Sequence, residues 1–349
     1  MATLVPLPSQ PAGVPWPTTA WPVGRAVAPV VAQVDRAFED GDLAETYAVV
    51  VVVGGRLVTE RYSGFLEHGD RPPDPVGPET RLMSWSIAKS MLHAAVGILV
   101  AEGRLVPDAP AAVPQWQDAG DPRRAITLEH LLEMRDGLDF TEEYVDASVS
   151  DVIHMLFHAG KDDTAAFAAD RPLAAEPGER FNYSSGTANI VSAIVARQVG
   201  PGEAYAAWLA ERLFRPVGMA SARPRFDAAG TWIASSYVHA TARDYARFGS
   251  LYLRDGWWDG RRLLPEGWVD HARLARSVHP EDGRLYGAHW WVVGDEHGSF
   301  WASGYLGQSV LVCPGLDLVV VRLGKTPAER ADALTAWRAG MVAAVGGGS

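Results

Sequence analysis

Strand-like runs stand at the two ends of this 349-residue chain, and helical periodicity fills the region between them. That distribution constrains the fold more than any other feature. Strands so far apart in sequence can share a buried face only if both ends of the chain return to one sheet. The first pair is the run 47–53, the dipeptide Gly54-Gly55 and the run 56–61. Two β-rich runs around Gly-Gly are a hairpin signal. Strand character returns at 287–294, 300–302, 309–312 and 318–323, with Pro314-Gly315 as a turn. Helices are expected at 26–39 and 328–344 near the ends, Pro29 being tolerable close to a first turn. Between the strand regions the pattern predicts helices at 87–101, 128–133, 151–157, 188–198, 204–213, 241–255 and 266–273.

The expected fold is therefore α/β of the α+β type. An antiparallel β-sheet built from 26–84 and 285–349 is flanked by terminal helices. A mainly helical domain spans 85–284, the active site lies where the two meet, and residues 1–25 run extended. Apolar residues make up 48% of the chain and charged residues 21%, an ordinary globular balance. The net charge of −11, with no basic run, disfavours nucleic acid and anionic membranes as partners. The start of the chain has no positive charge before Arg25 and is broken by Pro6, Pro8, Pro11, Pro15, Pro17 and Pro22. It does not read as a secretory signal, and no run has the length of a membrane span. Cys313 alone cannot form an internal disulfide. A cytoplasmic protein is expected, with a homodimer left open; the closing Gly-Gly-Gly-Ser carries no weight.

Ser86 and Lys89 form a Ser-x-x-Lys pattern within Ser84-Trp85-Ser86-Ile87-Ala88-Lys89-Ser90. Four residues are weak evidence, but their setting sharpens them. Lysine occurs only at Lys89, Lys161 and Lys325, so arginine supplies nearly all the other positive charge. Arginine cannot release its proton at working pH, whereas a buried lysine can. The following helix is almost wholly apolar, so Lys89 must be paired or pushed toward neutrality. Residues i and i+3 share a helix face, which brings the amine to the serine oxygen. Ser86 at the helix start also meets free N–H groups and a favourable dipole. A serine nucleophile with a lysine base fits better than a capping serine with an exposed lysine.

A proton route to the leaving group is still needed. Tyr183, in Phe181-Asn182-Tyr183-Ser184-Ser185-Gly186, offers a phenol for that relay. The strand end Ala302-Ser303-Gly304-Tyr305 has a glycine that permits close backbone approach. The N–H groups of Ser86 and Tyr305 are candidates for an oxyanion hole.

Taken in order, these elements resemble the three motifs of the serine β-lactamase and penicillin-binding protein superfamily. The resemblance is nearest to the class C-like esterase branch that includes the 6-aminohexanoate-dimer hydrolases. Further stretches carry it: Ile126-Thr127-Leu128-Glu129-His130-Leu131-Leu132, Asp136-Gly137-Leu138, Ala240-Thr241-Ala242-Arg243-Asp244, Leu263-Leu264-Pro265 and Gly307-Gln308. The resemblance implies Ser86 as nucleophile, Lys89 as base, Tyr183 as relay, and the Ser86 and Tyr305 N–H groups as oxyanion donors. It implies Tyr144 as a residue lining the substrate cleft; Ser185, Ser303, Gly304 and Trp291 are further expected to bind substrate, with no cofactor and no metal. Ser185 stands where the superfamily often has asparagine. Ala302 replaces the lysine of Lys-Thr-Gly, which holds carboxylates in β-lactamases. Small esters and linear amides are thus favoured as substrates over β-lactams or D-amino-acid peptides. A catalytically silent ligand-binding protein would be expected to lack one of the three catalytic side chains.

Other motifs fail. Gly324-Lys325-Thr326 lacks the first glycine of a phosphate loop, where Val319 stands, and no Gly-x-Ser-x-Gly elbow exists. His154 and His158 share a helix face but lack the adjacent glutamate of a zinc motif.

Overall fold

Gly54 and Gly55 both adopt positive φ, the left-handed conformation that a two-residue hairpin turn demands. They join β1 (Glu45–Val53) to β2 (Arg56–Tyr62). The computed structural model describes residues 4–68 and 71–347. Met1 to Thr3, in the segment expected to run extended, Gly69-Asp70, and Gly348-Ser349 lie outside the described residues.

The C-terminal part supplies β3 (Ser277–Val278), β4 (Leu285–Tyr286), β5 (Trp291–Val292), β6 (Phe300–Gly304), β7 (Gln308–Cys313) and β8 (Leu318–Lys325). These join the N-terminal hairpin in one antiparallel sheet of order β3-β4-β5-β6-β7-β8-β1-β2. The closing register pairs Val50 with Val321 and Val52 with Val319. The β1 run reads as continuous valine because both its faces are covered.

Helices α1 (Ala28–Glu39) and α5 (Ala331–Gly346) pack together, as the reciprocal bonds Gln33 Nε2 to Trp337 O (2.9 Å) and Trp337 Nε1 to Gln33 O (2.8 Å) show. They lie on the Trp301 side of the sheet, where the Arg338 guanidinium covers the Trp301 ring. On the other side sits α4 (Ala242–Leu253). There Gly249 comes so close to Val310 and Val319 that an added methyl would overlap both. Between sheet and helical layer runs α2 (Ile87–Ala101), buried from Ile87 to Leu99. Beside it stands α3 (Ser185–Val199).

The β3 strand precedes residue 285, where the sheet region was expected to resume. Leu82–Met83 pairs instead with Val238–Ala240, whose other edge pairs with Arg223–Pro224, in a small separate sheet within the helical layer. No helix among the described residues is long and apolar enough to cross a membrane.

Candidate active site

Ser86 is placed by a strand-to-helix turn. Ser84 donates its N–H to Val238 O (2.8 Å), and its hydroxyl bonds Ser236 O (3.1 Å) and accepts Val238 N–H (3.0 Å). Trp85 then takes φ +45, a left-handed conformation that only a firmly held turn imposes on a bulky residue. The turn leaves Ser86 at the N-cap of α2.

Lys89, one turn later, is fully buried. Its Nζ donates to Ser86 Oγ (2.9 Å), Ser185 Oγ (3.1 Å) and Ser235 O (3.0 Å), and lies 4.8 Å from the centre of the Tyr183 ring. Burial pulls its pKa down to about 8, against the opposing influence of Glu142. Ser235 is itself held by α3, its N–H donating to Asn189 Oδ1 (3.1 Å).

Glu142 is the counter-charge that sequence reasoning missed. Its carboxylate accepts the Ser185 N–H (2.7 Å), the Ser185 hydroxyl (2.5 Å) and the Tyr144 hydroxyl (2.5 Å). Ser185 thus donates to Glu142 while accepting from Lys89, a relay of charge between two groups. Glu142 is one of several acids in its loop, and nothing local distinguished it.

Tyr183 stands on a pinned loop: Asn182 donates its side-chain amide to Phe140 O (3.0 Å) and its N–H to Met134 O (2.8 Å). Its ring packs against Tyr286 and Trp291. Burial and the Glu142 charge push the Tyr183 phenol above its ordinary pKa, while an interaction with the Ser86 side chain works the other way.

The β6 strand end closes the other wall. A methyl on Gly304 would come 2.4 Å from Ser84 O, so glycine alone allows the two backbones to meet. This brings Tyr305 beside the Ser86 turn, and its ring meets those of Trp85 (5.3 Å) and Tyr144 (5.1 Å) edge-on and tilted.

These groups surround a cleft of about 570 Å³, within the range of small-molecule sites. Ser86, Tyr144, Tyr183, Trp291, Ser303, Gly304 and Tyr305 all line it. Ser185 does not: it is buried, its hydroxyl taken by Lys89 and Glu142, so it faces Lys89 where a substrate contact was expected. Arg180, His279 and Arg284 also line the cleft and were not foreseen. They come from loops with no distinguishing pattern.

The family described as Beta-lactamase matches residues 34–344. The 6-aminohexanoate-dimer hydrolase of Paenarthrobacter ureafaciens is 28% identical over 301 residues, covering 81% of this chain and 73% of that one. Among solved structures, a family VIII carboxylesterase superposes with a TM-score of 0.70 at 17% identity, over 91% of this chain and 99% of the other. A penicillin-binding protein homologue from Caulobacter crescentus gives 0.69 at 20% identity, again over 91% and 99%. At these identities the two structures speak for the fold.

Proposed function

The chain belongs to the β-lactamase family, and from that premise we propose that it cleaves small carboxylic esters and short linear amides through an acyl-enzyme on Ser86. The observation that carries this reading is the 2.9 Å contact between Ser86 Oγ and a buried amine whose pKa is lowered to about 8. Near neutral pH roughly a tenth of such amines are unprotonated. That fraction accepts the Ser86 proton as Oγ attacks the carbonyl carbon. The negative charge that develops on the carbonyl oxygen is received by the N–H groups of Ser86 and Tyr305.

Tyr183 hands its proton to the leaving oxygen or nitrogen and recovers one from Lys89. The raised pKa suits that part, because it keeps the phenol protonated and able to donate. Water then attacks the acyl carbon with the same groups working in reverse. Ala302 offers no cation for a substrate carboxylate at the position β-lactamases use, which supports uncharged esters and amides there. The proposal includes a reducing, cytoplasmic setting, supported by the single buried cysteine, Cys313.

A fluorophosphonate and a chromogenic short-chain ester test it together. Wild type should gain one phosphonyl mass on the peptide bearing Ser86 and lose ester turnover in parallel, while Ser86→Ala does neither. Equal labelling of the two proteins would refute the nucleophile.

A further inference from the structure

Beyond the cleft, a second cavity of about 680 Å³ lies between α5 and the edge of the sheet. Its walls are mostly apolar: Leu285, Val292 and Leu311 from the strands, Ala339, Val342 and Ala343 from the helix. Into this apolar groove the protein places two guanidinium groups. Arg284 stacks 4.1 Å from the centre of the Trp291 ring, and Arg338 stacks 4.9 Å from that of Trp301. The two indoles are themselves stacked, 6.1 Å apart.

The two cations differ in their partners. Arg284 is paired with Asp282 at 2.7 Å. Arg338 reaches only the Thr335 hydroxyl (3.1 Å), and no carboxylate pairs with it among the described residues. Burial, and then the charge of Arg284, draw Arg338 down to a pKa of about 10. Asp295 and Glu296 also border the cavity, but Asp295 caps the Ser299 N–H (2.7 Å) and Glu296 faces His297. A partly buried guanidinium with no anion beside it among the described residues, set in an apolar wall, has room for one more partner.

We propose that this groove binds an aliphatic monocarboxylate, its head group on Arg338 and its chain along Val342, Leu311 and Val292. Arginine matches a carboxylate with two parallel hydrogen bonds, and the Trp301 ring fixes the plane of the fork. The alkyl chain meets the apolar walls, so each methylene should tighten binding about fourfold until the groove is filled. Arg284 is a wall shared with the Ser86 cleft, whereas Arg338 and the helix side of the groove lie outside that cleft, and the inference is independent of the hydrolase reading.

Calorimetric titration of the full chain with octanoate, decanoate and decanol, all below micelle formation, tests it. Decanoate should bind saturably with one site per chain, more tightly than octanoate and at least tenfold more tightly than decanol. Arg338→Gln should erase the preference for decanoate over decanol. Ala339→Trp, a substitution on an exposed helix position that fills the groove, should abolish binding, with ester turnover and melting temperature retained by both variants. Equal affinity for decanoate and decanol in wild type, or decanoate binding unchanged in both variants, would overturn the proposal. A ligand-free dimer that Ala339→Trp converts to monomer would do so as well, since a second copy would then fill the groove.

Discussion

Lys89 is a compromise between two opposed influences, and its neighbours set where that compromise falls. Burial drives the amine toward neutrality, whereas Glu142, bridged to it by Ser185, holds it charged. A lower pKa yields more unprotonated base at neutral pH but a weaker one. Under the proposed mechanism the reacting form is the neutral amine, so kcat/KM should rise with pH through about 8 and then level. Glu142→Gln removes the charge and keeps an acceptor for Ser185. The rising limb of the pH–rate profile should then move to lower pH; an unmoved limb would exclude Glu142 as the group that sets the base. Lys89→Arg keeps the charge but has no accessible neutral form, so turnover of a chromogenic ester should fall about 10²- to 10⁴-fold. Rates near wild type would remove Lys89 from the base role. The contact between Ser86 and Lys89 was legible in the sequence because the two lie three residues apart at the start of one helix. Glu142 was not, since it reaches Lys89 through Ser185, 43 positions away.

At the scale of elements, what could be read depended on how many residues a signal spans. The expected helix 87–101 coincides with α2, because a long apolar run after a serine leaves little choice of boundaries. α3 begins at Ser185, ahead of the expected 188, and its first residues are Ser, Gly and Thr, which carry no apolar rhythm. Ser184 starts it by accepting the Thr187 N–H (2.9 Å), and Gly186 lets it sit directly on the Phe140 ring. A strand was expected across 287–294, but only Trp291–Val292 pairs. Gly287 abuts Ala272 O, and His289 takes φ +55, which breaks extended backbone. His289 is held there by Ser90 Oγ donating to its carbonyl (2.7 Å) and by its own Nδ1 bonding Lys89 O (2.9 Å). Two-residue strands such as Leu82–Met83 are too short for any period to show, though they hold the turn that presents Ser86. The β6 end makes the matching demand from the sheet side. Gly304→Ala would force Ser84 or Tyr305 to move. A misplacement of about 1 Å at the oxyanion donors can cost about 10²-fold in kcat/KM. Ester kinetics beside a thermal melt would show whether activity falls while the fold survives; full activity would mean that the close approach does not position the donors.

For the whole molecule, α2 and the elements packed around it carry ionisable groups that oppose one another as pH falls. His93 is buried and neutral, bonding Tyr252 (2.8 Å) and His271 (3.0 Å), and burial holds its pKa well below the usual value. His289 is likewise depressed, to about 3, mainly by burial. Both histidines take up protons below about pH 6.5 only when the chain unfolds. Each therefore contributes stability that is lost as pH falls, at about 1.4 kcal/mol per pH unit. Asp136 runs the other way. It is buried, with Thr187 Oγ1 and the Leu138 N–H on its two oxygens (2.6 and 2.8 Å), and burial raises its pKa to about 6. Between about pH 4 and 6 it holds a proton in the folded state that it lacks when unfolded, so it stabilises the fold as pH falls. Among these three groups two protons favour unfolding and one opposes it, so Asp136 offsets about the slope of one histidine, about 1.4 kcal/mol per pH unit, over pH 4.5–6. Asp136→Asn can keep both hydrogen bonds, accepting from Leu138 and donating to Thr187. It should be more stable than wild type at pH 8, where the carboxylate is charged and buried, yet lose about 1.4 kcal/mol per pH unit more than wild type between about pH 4 and 6. Urea unfolding at several pH values between 4.5 and 8 measures both slopes. Parallel curves for the two proteins would show that Asp136 titrates alike in the folded and unfolded chain, and the opposition between the histidines and this carboxylate would fall with it.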